Sequence, residues 1–362
     1  MNKILTLFLG LILGMAVNSQ SFVASGKVVD KQTGLPLSGA SVFCQNTTLG
    51  TTTNSQGEFS ISLTSGGYDL VFSYSGFETF SMRINNSTEN IRSLAIEMKQ
   101  KDKSLEEVSI TVTNEVKDGW EKYGGFFREQ FLGMTINSGQ CTVENPEVLR
   151  FFFSKKKNRL KVTARDDLRV SNKALGYTIR YQLDSFIHEY GSGLTQYTGF
   201  PFFEEMKGTI EEMNTWSINR EKAYNGSVLH FMRCYYDSTL KENGFKLEKI
   251  DPGTNKSRLI NNPYDSVFSQ VNDSKDLELL YVGKLRVVYM EEQPEKNYLL
   301  LNKLSPNTTI EISLLDFSEI ITIEENGYFY DQKDLMAFGY WSWEKLADFL
   351  PYNYEPGEGR SQ

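Results

Sequence analysis

Two histidines, three cysteines and 46 acidic residues are the groups in this 362-residue chain that could carry acid–base, nucleophilic or metal chemistry. A zinc hydrolase would need a His-x-x-Glu pair and a further ligand on one face of the fold. His188 is followed by Glu189, Tyr190 and Gly191, and His230 by Phe231, Met232 and Arg233, so neither fits. His230 falls with Arg233, Asp237 and Lys241 at helical spacing, which predicts a solvated polar face. His188 sits on the polar parity of a strand pattern. Tyr190-Gly-Ser192-Gly-Leu194 lacks the Gly-x-Ser-x-Gly elbow and reads as a turn. Gly253-Thr-Asn-Lys-Ser257 lacks the second glycine that a phosphate cradle requires before its lysine. Cys44, Cys141 and Cys234 are odd in number and far apart, with no Cys-x-x-Cys pair, and are expected as inert thiols. The adjacent pairs Asp166-Asp167, Glu204-Glu205, Glu211-Glu212 and Glu291-Glu292 point apart on any regular element, whereas glycoside hydrolysis needs acids facing across a cleft. The loop Tyr197-Thr-Gly-Phe200-Pro201-Phe202-Phe203 concentrates four rings. They are expected to pack inward, and exposure of two of them would instead mark a surface for sugars or a protein partner. No catalytic residue, cofactor-binding residue or metal ligand is assigned.

The elements that must hold these residues belong to more than one domain, because a chain of this length outgrows a single core. A net charge of −8 excludes nucleic acid as the main partner. Residues 1–20 carry Lys3, an apolar run over 4–17, and Val17 and Ser19 at −3 and −1 of a cut, which predicts a secretory signal. That run is too short for a spanning helix, and no transmembrane segment is expected after its removal.

Residues 21–98 read as short strands over 22–29, 41–45, 50–53, 58–63, 68–74, 78–84 and 91–98, separated by Gly, Pro, Asn and Ser turns. That spacing predicts a β-sandwich. Gly26-Lys-Val-Val-Asp30, Thr33-Gly34-x-Pro36-Leu37-x-Gly39-Ala40-x-Val42, Gly50-Thr-Thr-Thr-Asn54-x-x-Gly57-Glu58-Phe59-x-Ile61 and Gly76-Phe77 resemble the carboxypeptidase regulatory-like domain. The resemblance implies a transthyretin-like sandwich of the kind widespread in exported Bacteroidetes proteins. It also implies a module without catalytic residues of its own.

Residues 99–107 form a charged linker, and 108–362 form the second unit. Residues 105–112 resemble the segment that joins this sandwich to TonB-dependent receptors, but helical patterns and the absence of a terminal aromatic residue argue against a barrel, and 108–113 is expected as an ordinary strand. Helices are predicted over 114–130, capped by Asn114, over 228–240, capped by Asn225 or Ser227, and over 343–350, capped by Ser342. Strands are expected over 147–154, 160–165, 177–190, 277–290, 298–301, 308–314 and 320–325. The fold class is therefore mixed, an all-β sandwich followed by an α+β domain. Phe131-Leu-Gly-Met, Asn145-Pro-Glu-Val-Leu149, Asn172-x-Ala174-Leu-Gly-Tyr177 and Gly339-Tyr-Trp-x-Trp343 through Pro356 resemble the body of two-part Bacteroidetes envelope proteins, which brings no known activity. The expectation is an exported protein, periplasmic or associated with the outer membrane, that binds an envelope protein or glycan without catalysis. The alternatives are a glycan or peptide hydrolase with its site in the second unit, and an accessory subunit of a transport complex.

Overall fold

Turn chemistry builds the first unit. In the computed structural model, residues 21–64, 66–85, 87–101, 114–271, 276–330 and 334–357 are described. The expected signal segment, the expected strand at 108–113 and most of the linker lie outside them. Strands β1 (Ser21–Asp30), β4 (Glu58–Thr64) and β7 (Leu94–Met98) make one sheet, ordered β4-β1-β7. Strands β2 (Ser41–Cys44), β3 (Gly50–Thr52), β5 (Tyr68–Ser73) and β6 (Phe80–Ile84) make the other, ordered β3-β2-β5-β6. Ala24, Val28, Ile61, Leu70, Phe72 and Ile96 fill the space between them. Gly26 permits the parallel contact of β1 with β7, since a Cβ there would lie 2.1 Å from the Leu94 carbonyl oxygen. Asp30 accepts hydrogen bonds from the backbone N–H of Gln32 and Thr33 and from Gln100 Nε2. Those bonds, the Gln32 one foremost, hold its carboxyl below the usual range and tie the turn after β1 to residue 100.

The second unit has two cores. Helix α1 (Gly119–Phe131) lies over a six-stranded sheet of β8 (Cys141–Val143), β9 (Leu149–Ser154), β10 (Arg159–Ala164), β11 (Leu168–Asn172), β12 (Tyr177–Glu189) and β13 (Leu194–Glu205). The helix starts later than expected, at Asp118 rather than Asn114. Phe127, Phe131, Phe151, Tyr181 and Phe186 form the centre of this first core. Helices α2 (Ile210–Tyr224) and α3 (Val228–Tyr236) then lead to a five-stranded sheet, ordered β15-β14-β18-β19-β21. It contains β14 (Phe245–Ile250), β15 (Ser257–Leu259), β18 (Gly283–Tyr289), β19 (Glu311–Phe317) and β21 (Leu335–Gly339). A small sheet of β16 (Ser269–Val271), β17 (Leu277–Leu279) and β20 (Ile321–Ile323) closes the second core around Phe231, Leu285, Val287 and Leu315. Residues 298–301, expected as a strand, belong to helix α4 (Lys296–Leu301). The tail helix is the single turn α5 (Tyr340–Trp343), earlier and shorter than expected. No helix among the described residues is long and apolar enough to cross a membrane.

The sandwich is bonded directly to the second unit. β13 is an edge strand, and its outer edge meets sandwich residues 46 and 47. Asn46 N donates to the Pro201 carbonyl, and Phe203 N donates to the Thr47 carbonyl. Pro201 belongs there because its missing N–H would point outward, so the ladder to β12 loses nothing. Phe43, Val71 and Phe202 form a shared apolar patch. Arg83 pairs with Glu324, and its guanidinium lies 3.7 Å from the Tyr328 ring centroid. Tyr328 Oη donates to Asp69 Oδ2 at 2.5 Å.

Candidate functional site

Strand β12 decides where His188 goes. Tyr177, Ile179, Tyr181 and Leu183 point inward, and then the pairing with β13 slips by one between Leu183 and Ser185. Asp184 is the extra residue, and its carboxylate accepts from Thr198 Oγ1. The bulge reverses the parity, so Phe186 and His188 point inward. His188 is therefore buried rather than on a polar face. Its Nδ1 is 2.8 Å from Thr195 Oγ1, which donates to Gln130 Oε1. Phe126 and Tyr190 meet the imidazole edge-on, and burial lowers its pKa.

His230 is also buried, contrary to the expected solvated face. Helix α3 lies between the two cores, so its polar side faces protein. His230 Nδ1 accepts from Gly226 N, and burial lowers the imidazole pKa to about 4, which keeps it neutral. Arg233, one turn on, donates to the carbonyls of Asn326, Tyr352 and Tyr354. Burial raises the thiol pKa of all three cysteines, that of Cys234 to about 11, so thiolate chemistry is suppressed. Ser192 lies in the exposed turn joining β12 to β13. The aromatic segment is part of strand β13 rather than a loop. Phe202 and Phe203 are buried, Phe200 packs on the Phe43–Phe202 patch, and Tyr197 meets Phe131 and Phe186. The inward packing expected of the rings is what the strand shows.

The concentration of perturbed groups lies elsewhere, where the two cores of the second unit meet. Glu311 opens β19 opposite Tyr289 and is 4 % exposed. Burial, with the Glu292 charge second, pushes its carboxyl up to about 8. Asp348 accepts from Thr135 Oγ1 and Asn137 Nδ2, yet burial raises it to about 7. Burial and the neighbouring acids also raise Glu344 and Glu292. Glu295 accepts from Ile136 N and Trp343 Nε1. Tyr298, Tyr340 and Trp343 pack together beside these carboxylates. Lys222, at the end of α2, reaches Glu292 at 3.8 Å. Among the described residues, no three His, Cys, Asp or Glu side chains are grouped so as to hold a metal ion.

Of these acids, only Glu291-Glu292 stands out in the sequence as an adjacent pair. Glu311 carried a readable signal that the pair search missed. It shares the inward parity of β19 with Ser313, Leu315 and Phe317, and a carboxylate on an apolar parity must be protonated or paired. Glu344 and Asp348 carry no such signal, because the tail around them is irregular.

Two clefts flank the first core. One, of about 310 Å³, is lined by Arg128, Glu129, Leu132 and Met134. The other, of about 300 Å³, lies where sandwich and second unit meet, lined by Thr48, Tyr177, Glu205, Arg220, Asn353 and Tyr354. Arg220 stacks 3.9 Å from the Tyr177 ring centroid and donates to Glu205 Oε1 at 3.1 Å. Each cleft presents one carboxylate and one arginine, and neither has a histidine in its lining.

Residues 24–110 match the CarboxypepD_reg-like domain family, in agreement with the resemblance of their turns and strands. Among solved structures, 3-chlorocatechol 1,2-dioxygenase from Rhodococcus opacus 1CP is similar over 23% of this chain and 60% of its own, at 11% identity and a TM-score of 0.19. A likeness that slight carries no argument here. No curated protein matches the chain.

Proposed function

We propose that this chain is an exported cell-envelope protein that works by binding, with its CarboxypepD_reg-like sandwich serving as a brace for the second unit. The observation that carries binding over catalysis is the character of the cleft between the two units. Its one acid, Glu205, is ion-paired to Arg220, which is an arrangement for recognising polar groups rather than for passing a proton. Hydroxyl-rich ligands such as envelope glycans suit a polar cleft of this size. The expected result is saturable binding of envelope glycan fragments to the full chain, weakened by Arg220→Ala, with no release of shortened product on long incubation. Export is tested separately, by sequencing the amino terminus of the protein recovered from its host. A start at Gln20 supports cleavage after Ser19, and a retained Met1 rejects it.

One observation favours the hydrolase alternative. Glu311 and Asp348 hold protons close to neutrality, as a general acid must. Turnover of a glycan or peptide that Glu311→Gln abolishes would establish that reading in place of the first.

A further inference from the structure

We propose that the carboxylate cluster around Glu311 binds a protonated primary amine, either a lysine side chain of a partner or a free diamine. The inference rests on the binding reading above and names a ligand class for a second place in the same unit. Glu311 is 4 % exposed, and its Oε1 has no hydrogen-bond partner in the described structure. A buried acceptor left unmatched is costly, and such groups call for an explanation. Glu292, Glu295 and Glu344 are half-buried beside it, so the cluster opens to solvent on their side. Lys222 offsets the group only in part: its side chain is 64% exposed and ion-pairs with Glu292, and its charge lowers Glu311 less than burial and the Glu292 charge raise it.

The chemistry of the occupant follows from what the cluster lacks. Ionised carboxylates only accept hydrogen bonds, so the ligand must bring N–H donors and positive charge. The rings of Tyr289, Tyr298, Tyr340 and Trp343 around the acids favour a cation that can lie against aromatic faces. A metal ion would need three converging ligands, and among the described residues no such group occurs. An ammonium needs no fixed coordination shell. With the site empty, burial first and the Glu292 charge second push the Glu311 carboxyl up to about 8 and so keep a proton on it near neutrality, and burial also raises Glu344 and Glu292. An arriving ammonium replaces the Glu311 proton, so binding releases a proton and strengthens as pH rises. The other groups coupled to this equilibrium are Glu295, Asp348, Tyr340 and Lys222.

The test is calorimetric titration of the full chain near neutral pH with two probes, cadaverine and a peptide ending in lysine, in buffers of different ionisation enthalpy. Saturable binding with net proton release is expected, weakened at least about tenfold by Glu311→Gln. Cadaverine alone binding identifies a free diamine, and the peptide alone identifies a partner's lysine. Glu292→Gln supplies a second variant if the first does not fold. Absence of heat with both probes overturns the inference, as does equal affinity in the Gln variants or displacement of the amine by calcium. None of those results touches the glycan-binding and turnover assays, which judge the broader reading on their own.

Discussion

At the scale of single residues, burial of acids makes stability depend on pH with a definite sign. Glu311 rises from the ordinary 4.5 to about 8 on folding. Between those values the folded chain holds a proton that the unfolded chain has lost. Its contribution is therefore whole below 4.5 and disappears as pH rises through about 8. Asp348, raised from 3.8 to about 7, acts in the same direction over an overlapping window. Each group can tilt stability by at most about 1.4 kcal/mol per pH unit. Urea midpoints should therefore fall as the pH climbs from mildly acidic to mildly alkaline. Glu311→Gln should flatten the slope and be the more stable protein at the alkaline end. A slope identical in the two proteins would show that Glu311 titrates normally and that its isolation is not felt.

At the scale of elements, the bulge in β12 shows what a sequence pattern can and cannot reveal. Alternation from 177 to 183 is legible, and it placed His188 on the polar side because period two was carried past Asp184. One extra residue reverses every side chain beyond it, and nothing in Asp184 itself announces that. The partner strand records the constraint more clearly. A Cβ on Gly199 would lie 2.2 Å from the Gln182 carbonyl oxygen. Gly199→Ala should therefore cost about 1–3 kcal/mol, read as a lower urea midpoint, while a neutral effect would mean that the hairpin can shift its register freely. The sandwich was legible almost strand by strand, since its turns need Gly, Pro and Asn at fixed places. The second unit was less so. Helix α2 has a weak apolar stripe and was overlooked, although Thr209 and Glu212 form a capping box that marks its start. The run at 298–301 is too short for periodicity to separate helix from strand. The candidate site was scarcely legible, because its acids come from β19, from the loop after β18 and from the tail, and only the fold collects them.

At the scale of the whole molecule, the sandwich covers an edge that would otherwise be a hazard. β13 is long and rich in aromatic residues, and its outer carbonyl and N–H groups would be free to pair with another chain if sandwich residues 46 and 47 did not meet them. The ion pair between Arg83 of β6 and Glu324, just beyond β20, fastens the same two units at a second place. Glu324 is 2 % exposed, and removing its charge would leave the guanidinium with its longer ion pair to Asp69, at 3.7 Å, and the faces of two tyrosine rings. Breaking a buried pair from one side typically costs about 3–5 kcal/mol when the remaining charge has no other partner, and the Asp69 pair should hold the cost here toward the lower end. If the units brace each other, the native chain unfolds in one transition, and Glu324→Ala lowers that transition steeply. As the contact loosens, the variant should also gain aggregation on warming, because the β13 edge becomes available before the second unit itself unfolds. The double variant Arg83→Met with Glu324→Leu replaces both charges by apolar groups and should recover most of the loss. Calorimetric scans of the three proteins decide the matter. Two separate transitions in the native chain would mean that the sandwich rides on the second unit without supporting it, and the brace would have to be abandoned.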